Sequence, residues 1–373
     1  MSMRTTRGTW AGAAVVALLL SACDGGSSTT DSTGGGGAGG SGGTGTGGSA
    51  GPACEGEPET LDVAGTWAGY GALTASINGQ PGSLVSICPA DQEGLAYLLM
   101  LVTIEQDSAD PTALKNVKAS LCAVDLPAVT AVAGTCDPGT EAAVTTQISV
   151  PDALLDAFPN LSATPVGGAL SGSKAGADVT LERFVVTAGS SATGDLLPVW
   201  DSGLAGCDAS DIGHTNKCEE TCVSDCGALV DHDSDTFPGI SLDVCGRTQE
   251  DEGLPCNTAD PGTPGVTIQG RAFATLEVDP QFVGVAKSSC ELAGTVDTNV
   301  RYTVVGADVT LASAPISVAA ALSALPTLTV DPDKSKLTMV RVDGKYATPD
   351  LGLDPADPVA ACKILIAKKN ELF

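Results

Sequence analysis

Aromatic residues, histidines and basic residues are scarce in this 373-residue chain. Only 3% of its residues are aromatic, and it has two histidines and 18 lysines and arginines against 45 acidic residues. The formal net charge of −27 argues against binding nucleic acid, because phosphates are recognised by basic patches. The shortage of rings also disfavours a carbohydrate surface built by stacking. An acidic body of this kind instead suits solubility and the binding of cations.

Familiar catalytic signatures are missing as well. The sequence has no P-loop, no G-x-G-x-x-G between a strand and a helix, no H-E-x-x-H and no apparent nucleophile elbow. His214 and His232 leave few places for a histidine general base or triad. A hydrolase with a carboxylate pair is compatible with the many acidic residues, but nothing selects a pair. We therefore expect a protein that is not an enzyme.

The N-terminus has the pattern of an export signal. Arg4 and Arg7 precede a short apolar run, which ends in Leu20-Ser21-Ala22-Cys23. A positive start, a short apolar run and a small-residue cut site are typical of secretory signals. The run is shorter than the roughly 20 apolar residues that span a membrane. We predict that residues 1–22 are a signal peptide.

The four residues that end at Cys23 resemble the lipobox of bacterial lipoproteins. The resemblance implies that the chain is cut before Cys23 and that this cysteine carries acyl chains, which hold the protein to a membrane. The alternative is a secreted protein with a chance cysteine near its cut site. Residues 23–53 are mostly Gly, Ser, Thr and Ala, which predicts a flexible tether. We expect a lipid-anchored protein of the bacterial cell envelope, at the outer membrane, in the periplasm or at the cell surface.

The rest of the chain has the pattern of short β-strands. Runs of Val, Leu, Ile and Thr alternate with Gly, Pro, Asp and Asn. The prediction is a mostly β fold with two antiparallel β-sandwich or barrel-like halves, 54–200 and 261–373, joined by a small disulfide-rich segment, 201–260. Helices are candidates at Ala153–Phe158, Asn216–Leu229 and Pro358–Asn370. A closing strand at Lys363–Ala367 is an equal alternative to the last helix.

Two similar segments predict an internal duplication. ISVPDALLDAFPNL begins at Ile148, and ISVAAALSALPTL begins at Ile316. Cys122 and Cys290 each precede their copy by 26 residues. Matches among Ala, Val and Leu also arise by chance, so the repeat stays a hypothesis.

Twelve cysteines remain when Cys23 is set aside. In an exported chain they predict up to six disulfides, whose connectivity the sequence does not give. The spacing C-x3-C-x3-C, with both histidines nearby, leaves a thiolate metal site as the alternative. The disulfide candidates are Cys54, Cys88, Cys122, Cys136, Cys207, Cys218, Cys222, Cys226, Cys245, Cys256, Cys290 and Cys362.

The segment DHDSDTFPG, residues 231–239, is a candidate calcium loop. Asp231, Asp233 and Asp235 alternate along the chain, and calcium binds six to eight hard oxygens. The backbone carbonyl of Phe237 is the next expected ligand, and Asp243 is one residue beyond the position where an EF-hand has its glutamate. The sequence departs from an EF-hand because position six is threonine and position twelve is leucine. We predict a structural Ca²⁺, with a solvated acidic turn as the alternative.

The chain also resembles uncharacterised two-part, β-rich surface lipoproteins of bacteria. The matching features are Gly65-Thr66-Trp67, the D-x-D-x-D-x-x-P-G loop at 231–239, and PQFVGVAKSSCELAGTV from Pro280. The resemblance implies this organisation but no activity.

Two functions are therefore expected. The first is a binding module for a small apolar ligand, because the Gly65-Thr66-Trp67 opening is similar to the G-x-W start of lipocalins. The alternative is a structural or adhesive envelope protein that depends on calcium. The expected partners are the membrane, through the lipid anchor, and a hydrophobic ligand or an envelope component, but not nucleic acid.

Overall fold

The computed structural model of this protein describes residues 54–78, 85–87, 91–127, 129–133, 144–149, 152–161, 164–211, 217, 222–248, 268–311, 313–319 and 327–373. The export signal, Cys23 and the tether, all predicted above, lie outside these residues. So do His214, Cys88, Cys136, Cys218 and Cys256.

The described part of the chain is mostly antiparallel β-structure, which confirms the predicted fold class. Its α-helices are α1 (Asp152–Ala157) and α2 (Pro358–Leu372). Its strands are β1 (Gly65–Asn78), β2 (Val85–Ile87), β3 (Asp91–Gln106), β4 (Ala113–Asp125), β5 (Val129–Ala133), β6 (Val144–Ser149), β7 (Val166–Leu170), β8 (Ala177–Leu181), β9 (Val186–Ala188), β10 (Ile240–Thr248), β11 (Ile268–Val278), β12 (Gln281–Ser288), β13 (Glu291–Asp297), β14 (Val300–Leu311), β15 (Ala314–Pro315), β16 (Thr327–Val330) and β17 (Lys336–Arg341).

The larger sheet closes on itself. Its order is β16-β1-β17-β13-β12-β8-β7-β4-β3, and β3 pairs again with β1, so all of these strands except β16 form a ring. β16 pairs with the last residues of β1. Closure pairs both edges of the sheet, which removes the unpaired backbone groups that an open edge presents.

Side chains fill the inside of this ring. Trp67, Leu292 and Met339 are fully buried in a core to which every strand of the ring contributes apolar side chains. Leu61 and Val63, which precede β1, join the same core. This packed interior holds the ring together through the hydrophobic effect.

The apolar run at Leu95–Thr103 has two buried faces in the middle of β3. Met100 and Val102 belong to the core of the ring. Leu99 and Leu101 belong to a second core, on the outer side of the strand, under helix α2. The C-terminal segment is therefore a helix, and the alternative of a closing strand is wrong.

The second sheet has the order β15-β14-β11-β10-β6-β5-β2, with β9 pairing on β11. β10 comes from the predicted disulfide-rich segment 201–260, yet it lies between β6 and β11. Strands from 54–200 and from 261–373 occur in both sheets, and β1 pairs directly with β17. Each sheet is thus assembled from distant parts of the chain.

Three further sequence hypotheses concern local structure. The helix expected at Ala153–Phe158 is confirmed as α1. The helix expected at Asn216–Leu229 is wrong for residues 222–229, where a 3-10 turn at Cys226–Ala228 is the only helical element described. In the proposed repeat, Cys122 lies in β4 whereas Cys290 lies in the turn between β12 and β13, so the two positions differ in structure.

The prediction of disulfides is confirmed within the described residues. Cys54 is bonded to Cys290, Cys122 to Cys362, and Cys207 to Cys222. Cys226 and Cys245 are disulfide-bonded as well. The first two bonds join positions 236 and 240 residues apart, so they connect parts of the body that are distant in sequence.

Candidate cation-binding site

The acidic loop at 231–239 lies against the second sheet, immediately before β10. Val230 donates a backbone hydrogen bond to the carbonyl of Gly189 (3.0 Å), which holds the start of the loop. The ring of Phe237 packs on Phe273 of β11, with centroids 4.9 Å apart. Gly239, with φ +95°, ends the loop so close to the sheet that an added Cβ would lie 2.8 Å from the carbonyl oxygen of Ala274. The loop is therefore fixed at both ends.

Three aspartates converge in this loop. One carboxylate oxygen from each of Asp231, Asp233 and Asp235 lies within 4.8 Å of the others. Ser234 and Thr236 have φ values of +59° and +79°, and these left-handed residues curl the chain around the carboxylates. The sequence has threonine where an EF-hand has glycine, but the backbone takes the conformation that glycine favours.

Asp233 is the buried member of the cluster. The residue is 7% exposed, and its Oδ2 accepts a hydrogen bond from the backbone N–H of Ser241 (2.7 Å). Its Oδ1 is buried and has no hydrogen-bond partner among the described residues. A buried carboxylate oxygen without a partner raises the free energy of the folded state. This atom is therefore the clearest sign that the cluster accommodates a ligand.

The other two carboxylates shape the loop through its backbone. Asp231 accepts hydrogen bonds from the N–H groups of Asp235 (3.2 Å) and Thr236 (3.0 Å). Asp235 accepts one from the N–H of Phe237 (2.9 Å) and one from the hydroxyl of Ser241. Asp231 is exposed, so the cluster reaches from solvent down to the buried Asp233.

Burial raises the pKa of Asp233 to about 6, and the nearby negative charge of Asp235 adds to this effect. The hydrogen bond from Ser241 acts in the opposite direction. A proton therefore stabilises the buried carboxyl at mildly acidic pH, as a cation would at neutral pH.

Arg271 is the positive group nearest to the cluster. Its guanidinium lies 3.8 Å from Oδ2 of Asp235 and 3.5 Å from Oδ1 of Asp243. Asp243 thus faces Arg271 across the β10–β11 pair and is not one of the three converging carboxylates. Burial raises its pKa, and Arg271 lowers it.

His232 serves the loop in a different way. Its Nδ1 accepts a hydrogen bond from the backbone N–H of Gly189 (2.8 Å), and burial lowers the pKa of His232. A neutral ring in this bond has no lone pair at Nδ1 left for a metal.

The predicted ligands thus have different placements. The carboxylates of Asp231, Asp233 and Asp235 come together, whereas Asp243 pairs with Arg271. The ring of Phe237 packs on the sheet, and its N–H donates a hydrogen bond to Asp235. Ser241 and Arg271 touch the cluster but were not predicted. Ser241 lies in β10 and Arg271 lies 30 residues later, so the sequence around the loop does not indicate that either contacts the cluster.

The chemistry of this donor set fits a hard cation. Three carboxylates converge, one oxygen of Asp233 is buried and unpaired, and one arginine at 3.8 Å is the only described cation in contact with the cluster. Oxygen ligands of this kind suit Ca²⁺, which accepts an irregular shell of six to eight oxygens. The thiolate alternative loses most of its ligands, because Cys207, Cys222, Cys226 and Cys245 are disulfide-bonded.

None of the helices described is both long and apolar enough to cross a membrane. No model of a known protein family matches the chain, and a search of curated proteins finds no match. The fold and the site define a mostly β protein, cross-linked by disulfides, with a candidate cation site of three aspartates.

Proposed function

We propose that this chain is a lipid-anchored envelope protein with a structural or adhesive role, and that Ca²⁺ bound at Asp231, Asp233 and Asp235 stabilises its folded body. The observation that carries the proposal is the buried, unpaired Oδ1 of Asp233. One carboxylate oxygen of Asp233 also lies within 4.8 Å of oxygens from Asp231 and Asp235. The lipobox at Cys23 and the glycine-rich tether support the envelope location. This role requires no catalysis.

The geometry favours this role over the binding module. That hypothesis placed an apolar ligand inside a barrel, and the ring is the matching structure. Its interior is occupied by the protein's own side chains, including the fully buried Trp67, Leu292 and Met339. Close packing of this kind argues against a lipid inside the ring.

The position of the loop in the fold indicates what a bound cation would stabilise. The loop lies between Gly189, which follows β9, and β10, which is an inner strand of the second sheet. Ca²⁺ would neutralise the clustered carboxylates and fix the entry into β10. Binding to the folded state alone stabilises that state by about 2.7 kcal/mol when the ligand is at 100 times Kd.

The test is calcium titration of the full chain by isothermal calorimetry, paired with thermal melts in calcium and in chelator. Asp233→Asn keeps the size of the side chain and removes its charge. We expect this variant to lose calcium binding and the calcium-dependent rise in Tm. Asp208→Asn is the matched control, because Asp208 also accepts a hydrogen bond from a backbone N–H, that of Ser210, but is exposed and outside the cluster.

Equal Tm values in calcium and in chelator for the unaltered protein would contradict the calcium assignment. Calcium binding that persists unchanged in Asp233→Asn would place the cation elsewhere.

A further inference from the structure

A pocket of about 460 Å³ opens on the outer face of the ring, far along the chain from the acidic loop. It lies over the pair β3–β4, where Thr103 faces Lys118 and Leu101 faces Ser120. Residues before helix α2 form its other wall, including Pro355. Ligand pockets in proteins are typically 300–1,000 Å³, so this one has the size to hold a small molecule.

The polar groups in this pocket can all donate hydrogen bonds. They are the hydroxyls of Thr103 and Ser120, the ammonium of Lys118 and the side-chain amide of Asn160. None of these four side chains makes a hydrogen bond or ion pair with another described residue. No carboxylate lines the pocket, although the chain has 45 acidic residues. The donors are therefore available to a negatively charged ligand.

Lys118 has no ion-pair partner among the described residues. Lys115, on the same strand, is paired with Asp107 at 2.5 Å. Asp354 and Asp357, which flank the pocket wall in sequence, each accept a hydrogen bond from the backbone N–H of a residue two or three positions later.

The remaining surface of the pocket is apolar and rigid. Leu101 is almost fully buried, and Pro165, Pro355 and Pro358 contribute pyrrolidine rings. Helix α2 is fixed on this face of the ring by the bond between Cys122 and Cys362, which maintains the pocket wall. A preformed wall reduces the entropy lost when a ligand binds.

From these observations we propose that the pocket binds a small organic carboxylate with a compact apolar body. The carboxylate pairs with Lys118 and accepts hydrogen bonds from Thr103 and Ser120. The apolar body lies against Leu101 and the prolines. This site is separate from the cation loop, and it does not depend on the proposed role of calcium.

The test uses 2-naphthoate and its neutral analogue 2-naphthamide, titrated calorimetrically into the full chain in a neutral detergent with a detergent blank subtracted. We expect naphthoate to bind at least about tenfold more tightly than naphthamide, because only the anion pairs with Lys118. Lys118→Met should weaken naphthoate binding by a similar factor. Ser120→Leu, which fills the pocket and keeps the lysine, should abolish it.

The matched control is Lys115→Met, which removes a lysine from the same strand outside the pocket and should leave the affinity unchanged. Absence of naphthoate binding, equal affinities for the acid and the amide, or unchanged binding in Lys118→Met or Ser120→Leu would each overturn the proposal. All variants keep the cation loop, so calcium binding measured in the same samples reports separately on the proposed function.

Discussion

The guanidinium of Arg341 lies 4.8 Å from the ring centre of Trp67, and both side chains are fully buried. Arg341 donates hydrogen bonds to the carbonyls of Ser289, Ala64 and Asp62, and it pairs with Asp343 at 2.9 Å. One residue at the end of β17 therefore joins the start of β1, the turn before β13 and a neighbouring carboxylate.

Replacing Arg341 with methionine should destabilise the protein severely. The change keeps most of the volume but removes the Arg341 donor from the carbonyls of Ser289 and Asp62 and takes away the buried positive partner of Asp343. The expected loss is about 3–5 kcal/mol of unfolding free energy, measured by urea denaturation. Lys334→Met is the control, because it breaks the exposed pair with Glu93 and should change the unfolding free energy far less. Equal losses in the two variants would contradict the role assigned to Arg341.

The bond between Cys122 and Cys362 should matter more than the bond between Cys207 and Cys222. The first spans 240 residues and the second 15, and a longer loop restricts the unfolded chain more. Replacing both cysteines of the first pair with alanine should cost about 2–5 kcal/mol and expose helix α2 to hydrogen exchange. The same change in the second pair should cost less and leave the exchange of α2 unaltered. Unaltered exchange in the first variant would argue that packing alone holds the helix.

Asp233 should make stability depend on pH when calcium is chelated. Its pKa is about 6 in the folded protein, above the ordinary value of 3.8, so the folded state binds the proton more tightly. This contribution to stability is fully present below about pH 4 and is lost as the pH rises through about 6. The Asp233→Asn variant lacks this titrating group. As the pH rises from about 4 to about 6, the unaltered protein should therefore lose stability relative to the variant. Urea midpoints measured in chelator at several pH values test this, and a constant difference across the range would contradict it.

Cys23 should carry the lipid. Labelled palmitate supplied to cells is expected to enter the unaltered protein but not Cys23→Ser, and the variant should not fractionate as a processed membrane-bound form. Cys54→Ser is the informative control, since this cysteine pairs with Cys290 inside the folded body and should not affect labelling. Labelling of the Cys23→Ser variant would contradict the lipobox assignment.

Much of the fold could be predicted from local pattern. The alternation of apolar and turn residues predicts the many β-strands, and the helix expected at Ala153–Phe158 is α1. The hairpin of β12 and β13 is not evident from local pattern, since glycines interrupt its apolar run. These glycines are explained by packing: a Cβ on Gly284 would lie 2.4 Å from the carbonyl oxygen of Ala293 on the adjacent strand.

The sequence likewise predicts one part of the candidate site and not the rest. The alternation of Asp231, Asp233 and Asp235 was visible in the sequence, and the three carboxylates do converge. The roles of Ser241 and Arg271 were not visible, because each depends on how β10 pairs with β11. The burial that leaves one oxygen of Asp233 unpaired also arises only when the loop packs on that sheet.

The sequence by itself determined that the chain is acidic, mostly β, rich in cysteines suited to disulfides and equipped with a D-x-D-x-D loop. Only the tertiary structure decided that β1 pairs with β3 and β17, that β10 enters the second sheet, and that Cys122 meets Cys362. The physical reason is that the two-residue alternation of a strand specifies which face is buried, whereas the partner of a strand is selected by the packing of the whole core.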